Sequence, residues 1–543
     1  MISRRSCSLG ILFLLICEWI LHLTYLYYTN TSICGRIEDM EIPKEVKQVA
    51  DTLIEAGYQA YLVGGCVRDL LLGKTPKDWD ITTDAVPQEI QKLFITFAGA
   101  TKDNPATVYE NNFGTVGIKT DSEDERLKII EVTTFRIEGT YSDARHPDEI
   151  KFAETIEEDL ARRDFTINAL ALAIHGTTVE INKITLVDPY GGQEDLKNNI
   201  IRAVGDPEKR FQEDALRMMR AVRFAAQLGD AHSGWTIHSA TFGAIQHNAG
   251  LLEMIAKERI RDEFIKIIMT PRAAEAIMML EDAGLLRFVM PELREGIGCG
   301  QNKHHIYTVF EHSVRALNYT AEQNYSLEVR VASLLHDVGK PRTKRGNGLN
   351  STFHGHEVVG ARMVYQMLDR LRFPREMIEW ICALVRFHMF YYNVGDVSDA
   401  GVRRFVRRVG PEHIDDLLKV READRIGSGV PKAVPYKLRH LLFMMEKVKQ
   451  DPILPKMLKI TGTDIMELLS LQPGRRVGHI LNALLEEVLD DPTRNEKDYL
   501  MDRARALHEL SDQELEELSE KAKEKKEEVE IEREEDMKRE FRV

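Results

Sequence analysis

The apolar positions of this chain change their spacing part-way along it. Residues 43–57 carry apolar side chains at helical intervals, and 58–63 form a short β-type run ending in Gly64-Gly65. A brief helix at 67–72 is expected next. Strands are expected near 79–83, 115–119, 128–134 and 150–152, where β-branched runs are bounded by turn residues. From Ile156 onward apolar residues recur at helical spacing almost to the end, with breaks at 188–192, Pro271, Pro291, Pro341, Pro374 and Pro473. The fold class this predicts is α+β, a small mixed-sheet portion of about 150 residues followed by a long all-α portion. No internal repeat is visible.

Composition narrows the picture. The chain has 543 residues, of which 43% are hydrophobic and 29% charged, which excludes a disordered, collagen-like or disulfide-stapled protein. Lysine plus arginine number 73 against 87 aspartate plus glutamate, a net charge of −14. That balance argues against a sequence-blind nucleic-acid coat and leaves room for a local basic face. Residues 511–543 hold 8 basic and 14 acidic side chains, a solvated and frayed helix by expectation, and without them the chain is still acidic. Cys7, Cys17 and Cys34 lie in the amino-terminal extension. Cys66, Cys299 and Cys382 are scattered, without metal-ligand spacing, as in a reducing compartment.

The most informative stretch is Leu62-Val-Gly-Gly-Cys-Val-Arg-Asp-Leu-Leu-Leu-Gly73, followed by Lys77-Asp-Trp-Asp-Ile-Thr82. A strand, the Gly64-Gly65 turn and a helix aim free backbone N–H groups at one point, and Arg68 adds a fixed positive charge, an arrangement suited to phosphate. Asp78 and Asp80 are two apart on an expected strand and so project from one face. Two carboxylates that close repel unless a cation lies between them, and Mg²⁺ is the candidate that prefers carboxylate and phosphate oxygen. Glu131, on a neighbouring expected strand, offers a third carboxylate.

These residues resemble motif A of the class II tRNA nucleotidyltransferases and bacterial poly(A) polymerases. Four more of the family's motifs follow in order. Arg162-Arg-Asp-Phe-Thr-Ile-Asn-Ala169 resembles motif B and Asp188-Pro-Tyr-Gly-Gly-Gln-Glu-Asp195 motif C. Glu213-Asp-Ala-Leu-Arg-Met-Met-Arg-Ala-Val-Arg223 resembles motif D and Lys257-Glu-Arg-Ile-Arg-Asp-Glu263 motif E. By this resemblance Arg163 contacts the triphosphate, Asp164 binds ribose or orders its loop, and Asn168 caps or orients. Residues 140–147 resemble the family's specificity-switching loop.

Motif D also has a direct physical reading. Asp214 and Arg217 are three apart on an expected helix and share a face, and Arg220 and Arg223 continue that row. A carboxylate accepts from an amino group, while a guanidinium donates to a ring nitrogen or carbonyl. Cytosine and adenine present an amino donor beside a ring acceptor, whereas guanine and uracil present the reverse. The pair therefore selects C and A and leaves G and U with unpaired polar groups. The resemblance implies the same pairing, with Arg220 and Arg223 serving the nucleotide more generally. The implied reaction is attack by an RNA 3′-hydroxyl on the α-phosphate of CTP or ATP, with two Mg²⁺ ions bridged by Asp78 and Asp80 and release of pyrophosphate.

A second constellation lies in the helical half. Asn302-Lys-His-His-Ile-Tyr-Thr-Val-Phe-Glu-His312 precedes Leu334-Leu-His-Asp-Val-Gly-Lys-Pro341, and His354-Gly-His-Glu357, His388 and Asp424 follow. This ordered set resembles the HD metal-dependent phosphohydrolases. The resemblance implies His312, His336, Asp337, His356 or His388, and Asp424 as ligands of a transition metal such as Ni²⁺ or Mn²⁺. For RNA, Arg403, Arg404, Arg407 and Arg408 stack in two rows on one expected helix, a basic face for phosphate contacts.

The expected reading is a Mg²⁺-dependent enzyme that adds C, C and A to the tRNA 3′ end, with an attached HD domain and no inferred protein partner. Rivals are an A-adding, CC-adding or poly(A)-forming enzyme of the same family, and an HD phosphohydrolase with a non-catalytic RNA-binding head. The expected boundaries are 1–39 for an apolar extension, 40–175 for the catalytic head, 176–295 for a helical neck and body with the nucleotide-selecting motif, 296–430 for the HD domain, 431–510 for a helical tail and 511–543 for the charged helix. Within the extension, Arg4 and Arg5 precede the apolar run 11–28, which approaches the roughly 20 residues that span a bilayer. Cytosolic nucleotide substrates and the amphipathic helix opening at Met40-Glu-Ile-Pro favour a start at Met40 and a cytoplasmic protein. A membrane anchor through 11–28 is the alternative.

Overall fold

The computed structural model describes residues 42–543 except 96, 98–105, 111–113, 139–149, 175–184, 230–233, 302–305, 391, 393, 395–396, 398, 431–433, 435, 450–457 and 543. The chain divides between Ile381 and Cys382 into two compact units.

The first unit opens with α1 (Lys44–Glu55), whose Val46, Val49, Ala50 and Leu53 are fully buried. That spacing is one stripe of a 3.6-residue helix, so the helix forms by laying this stripe on the sheet. It is followed by β1 (Ala60–Val63), α2 (Gly65–Leu71), β2 (Asp80–Thr83), α3 (Pro87–Leu93), β3 (Thr107–Glu110), β4 (Thr115–Lys119) and β5 (Ile129–Thr134). Then come β6 (Arg136–Glu138), β7 (Ile150–Phe152), α4 (Ile156–Ala161), β8 (Ala171–Ala173) and β9 (Leu186–Val187). Seven strands form one mixed sheet in the order β3-β4-β5-β2-β1-β8-β9, parallel only between β2 and β5. β6 and β7 pair in a separate antiparallel ribbon. Leu62, Ile81, Ile118, Ile130 and Val132 have no exposed surface, and burying each contributes about 1.5–3 kcal/mol.

The α+β class holds, but several strands depart from the periodicity. β3 and β6 were not expected, and β8, β9 and a short parallel pair, Ile200–Ile201 with Thr236–Ile237, lie where helix was expected throughout. Ala169-Leu-Ala-Leu172 is rich in helix formers, yet all four residues are buried, and β8 inserts beside β1. A short apolar run buried on both faces carries no period to distinguish strand from helix.

Beyond the head, apart from that short strand pair, the described part of the first unit is helical, with α5 (Pro207–Glu213), α6 (Leu216–Leu228), α7 (Lys257–Ile268), α8 (Val309–Glu322), α9 (Leu327–Leu335) and α10 (His356–Arg370) among its helices. α8 starts on a capping box in which Thr308 and Glu311 satisfy each other's backbone N–H groups.

The second unit contains α11 (Asp399–Val409), α12 (Ile414–Gly427), α13 (Tyr436–Lys449), α14 (Arg475–Asp490) and α15 (Asp512–Phe541). One of its cores gathers Ile460, Ile465, Ile480, Leu484 and Leu500, all without exposed surface. The charged carboxy-terminal run is the helix α15, held at its start by a Ser511/Glu514 capping box and by Leu515 in the same core. Among the described residues no helix is long and apolar enough to cross a membrane, and the segment 11–28 lies outside them.

Candidate active site

β1 runs into Gly64, whose φ of 73° is disfavoured for residues with a side chain. A Cβ at Gly64 would also lie 2.8 Å from Arg163 Nη1. The first motif therefore needs glycine here for its backbone conformation, and any side chain would also displace the end of the second motif's arginine. At Gly65 a Cβ would meet Arg68 Nη2 at an ordinary 3.6 Å, so that position is not sterically demanded in the same way. Arg68, on α2, donates from Nη1 to Asn168 Oδ1 at 2.8 Å and from Nε to Asp69 Oδ1 at 2.8 Å.

The carboxylates differ from expectation in one respect. β2 begins only at Asp80. Asp78 precedes the strand and is exposed, so only Asp80 is held by strand pairing. Between them Trp79 is buried, and strand pairing starts at Asp80, in register with Glu131 on the parallel β5. Asp78 and Asp80 still line one cleft of about 530 Å³. Glu131 is exposed beside Asp80 and is not part of that lining. Burial, then the charge of Glu131, with Asp78 adding to them against Arg163, push the Asp80 carboxyl up to about 6. Carboxylates crowded so that one resists ionisation are what a site for a hard divalent cation requires, and these oxygen donors fit Mg²⁺.

Arg163, Asp164, Asp214, Arg217, Arg220 and Arg223 line the same cleft. Asp164 accepts from the Phe165 N–H at 2.8 Å, from Asn168 Nδ2 at 3.1 Å and from Arg220 Nε and Nη2 at 2.8 and 2.5 Å. Burial alone would raise its pKa, but Arg220 and these bonds bring it down to about 2. Asp164 thus orders its own loop in this structure, with Asn168 as the bridge between it and Arg68.

The expected helical row in motif D is interrupted. Asp214 has extended backbone angles, φ −143° and ψ 103°, at the junction of α5 and α6, and its Oδ1 accepts from the Leu216 N–H at 3.0 Å. Only Arg217, Arg220 and Arg223 lie on α6. Asp214 reaches the cleft because Arg259 of α7 grips it, and Arg217 because Glu213 and the Arg162 carbonyl hold its guanidinium at 2.7 and 3.0 Å. Arg223 pairs with Glu263 of α7, and Nη1 donates to Gln227 at 2.6 Å. Burial and the charge of Arg220 nevertheless press the Arg223 guanidinium below its ordinary value. For Arg220 burial acts the same way, but Asp164 and Glu263 outweigh it and raise the value.

Behind these groups, motif C acts as scaffold. A Cβ on Gly192 would fall 2.3 Å from the Thr166 carbonyl oxygen, and Asp195 accepts from the Thr166 hydroxyl at 2.6 Å. Arg162, Arg259, Glu263 and Phe224 were given no individual role from sequence. The four-residue spacing of Arg259 and Glu263 within motif E was the available signal, whereas Phe224 is merely one more apolar residue of a helix.

The second constellation assembles in part within the first unit. His312, His336, Asp337 and His356 are buried together. Asp337 Oδ2 lies 3.2 Å from His312 Nε2 and 3.3 Å from His336 Nε2, and its Oδ1 lies 3.3 Å from His356 Nε2. His336 and His356 each donate Nδ1–H to a carbonyl three residues back, Ser333 and Phe353, at 2.8 Å. That bond leaves Nε2 as the basic atom, the tautomer a metal ligand needs. Burial would raise Asp337, but the charges of His336 and Lys340, whose Nζ is 2.6 Å away, hold it well below the usual range. His388 and Asp424 belong to the second unit, where both are buried. His388 Nδ1 donates to the Val385 carbonyl at 2.7 Å, and Asp424 accepts from Arg421 at 2.6 Å. Arg404, Arg407 and Arg408 are exposed on α11. The Arg403 side chain and the loop 140–147 lie outside the described residues.

Three family patterns match in order: the poly A polymerase head domain over residues 60–202, the probable RNA and SrmB-binding site of polymerase A over 234–297, and the HD domain over 309–427. An A-adding tRNA nucleotidyltransferase of Deinococcus radiodurans is 36% identical over 435 residues, covering 79% of this chain and 91% of that protein. A CCA-adding enzyme of Ligilactobacillus salivarius is 33% identical over 478 residues, 86% of this chain and 98% of its own length. The crystal structure of the Bacillus stearothermophilus CCA-adding enzyme in complex with CTP superposes with a TM-score of 0.52 at 28% identity, over 87% of this chain and all of that one. With relatives this similar over nearly their whole length, and with head, RNA-binding and HD patterns in sequence, the chain belongs to the tRNA nucleotidyltransferase family, in its HD-containing branch.

Proposed function

We propose that this chain completes the 3′ end of tRNA by adding C, C and A from CTP and ATP without a nucleic-acid template. The observation that carries the reading is that the carboxylates Asp78 and Asp80 and the base-selecting groups Asp214 and Arg217 line a single cleft. A nucleotide spanning it would meet the acidic groups with its phosphates and the Asp/Arg pair with its base. Asp214 accepts from the N4 or N6 amino group while Arg259 keeps it oriented, since a carboxylate has lone pairs for both. Arg217 donates to the adjacent ring nitrogen. Arg163, Arg68, Arg220 and Arg223 offset the triphosphate charge. Asp78 and Asp80, with Glu131 beside them, would hold Mg²⁺. When bound, that ion supplies positive charge against the reacting phosphate and the attacking 3′-oxygen. For the HD cluster, His312, His336, Asp337 and His356 offer the donors of a transition-metal phosphohydrolase centre.

The A-adding relative supports a narrower second reading, in which only the terminal A is added to tRNA ending in CC. One assay separates the two. The protein is incubated with tRNAs ending before CCA, after C and after CC, each with one labelled nucleotide. Ordered C, C, A addition supports the full reading and addition of A alone to the CC end supports the narrower one. Long A tracts would indicate tail synthesis, and failure to extend any substrate would defeat all three.

A further inference from the structure

The second unit has a cavity of about 460 Å³ whose lining is unlike that of a structural void. Among the described lining residues, three are aromatic (Phe390, Tyr392, Tyr436), three are cationic (Arg421, Arg425, Lys437), and none is acidic. Arg421 and Arg425 are four apart on α12 and so share a face. Lys437 and the apolar Leu441, four apart on α13, do the same.

The rings and Arg421 are already held in place, and Arg425 and Lys437 also have interactions of their own. Tyr392 Oη is 2.5 Å from His440 Nδ1, and the Tyr436 ring lies 6.1 Å from that imidazole. Phe390 packs against Phe405 at 5.3 Å, and the Arg421 guanidinium sits 5.7 Å from the Phe390 centroid while donating to Asp424 at 2.6 Å. A site organised before its ligand arrives loses less entropy on binding.

We infer that this cavity is a second nucleotide site, which takes a nucleobase among its aromatic rings and the attached phosphate on its cations. Base–aromatic stacking is worth about 1–3 kcal/mol and tolerates any base, and arginine and lysine supply the phosphate contacts. The three cations, with no carboxylate among the described lining residues, disfavour a cationic ligand. The volume lies within the roughly 300–1,000 Å³ of small-molecule pockets, which admits one nucleotide. None of the lining residues belongs to the head cleft, so the site goes beyond the proposed function and does not depend on it. The ligand could be a free nucleoside monophosphate or the terminal nucleotide of an RNA.

Photoaffinity labelling of the full chain with 8-azidoadenosine 5′-monophosphate, followed by peptide mapping, tests this directly. The expected result is an adduct on peptides containing Tyr392 or Tyr436, reduced at least about tenfold in the Arg425→Ala, Lys437→Ala double variant. Any adduct in the head is then an internal control that stays constant, and Arg425→Lys retains labelling. Without any variant, AMP must displace the label at concentrations where adenosine does not. Displacement by AMP but not by an equimolar tRNA 3′-end oligonucleotide identifies a free nucleotide, and the reverse identifies an RNA terminus. Labelling confined to the head, equal yield in the double variant, or equal competition by adenosine and AMP would overturn the inference.

Discussion

Arg259 holds Asp214 through two parallel contacts, Nη1 to Oδ1 at 3.2 Å and Nη2 to Oδ2 at 2.7 Å. The carboxylate assigned to base selection is therefore aimed by a helix 45 residues further on, not by the helix that follows it. Arg259→Ala should leave Asp214 to rotate. Discrimination for CTP and ATP over UTP and GTP should fall by about 10- to 100-fold in kcat/KM, the scale expected when a polar selecting group loses its geometry. Arg259→Lys should recover only part of it, since an ammonium cannot bind both oxygens in parallel. Unchanged misincorporation would count against the assignment.

Gly64 presents a simpler case. An alanine there combines a positive φ with a Cβ driven towards the Arg163 guanidinium. Gly64→Ala should cost about 1–3 kcal/mol of stability and raise KM for the nucleotide through displacement of Arg163. Urea unfolding and initial-rate kinetics measure the two effects separately.

Asp80 should mark the pH profile of the metal-free protein. Its folded-state pKa of about 6 lies above its ordinary 3.8. A raised carboxyl favours the folded state when protonated, so its contribution is fully present below about pH 4 and is lost as pH rises through about 6. The difference is at most about 3 kcal/mol. Comparison of wild type with Asp80→Asn in EDTA isolates this group from the other carboxylates, and only the wild type should show the added slope. Affinity for Mg²⁺ should rise over the same interval, because the ion and the proton compete for the carboxylate. Equal slopes in the two proteins would contradict the prediction.

Phe224 lies beneath three guanidiniums, with Arg68, Arg220 and Arg223 at 5.3, 5.4 and 4.2 Å from its ring centroid, and meets Phe165 edge-on at 5.7 Å. The negative ring face eases the approach of like charges, at about 0.5–2 kcal/mol per contact. Phe224→Leu keeps the bulk apolar but removes that face. KM for nucleotide should rise about 10-fold with a smaller effect on kcat, and Phe224→Tyr should restore it. A loss of stability without a KM change would reduce Phe224 to a packing residue.

The buried histidines predict a second, separable metal dependence. His336→Ala should abolish binding of Ni²⁺ or Mn²⁺ by the chelated and reloaded protein, measured calorimetrically. It should leave Mg²⁺-dependent extension of tRNA unaltered. Equal transition-metal uptake by the variant would remove His336 from the ligand set.

Local chemistry carried much of this protein into view before any fold was known. The Gly64 turn, the Asp78/Asp80 doublet, the arginines of 163–223 and the ordered histidines are clustered in the chain, and clustering of that kind follows from a strand, turn or helix spanning few residues. Strands with their own β-branched pattern, such as Thr115–Lys119, were legible for the same reason. The tertiary structure decided whatever depends on partners distant in sequence. β8 is a strand because β1 offers its edge to Ala171–Ala173. Asp214 leaves the helical row and is held by Arg259, Asp164 turns inward to Arg220, and Phe224 becomes a seat for cations. Hydrogen bonds, ion pairs and ring contacts act over a few ångströms of space without regard to chain separation, so periodicity reports which face of an element is buried but not which side chains it meets there.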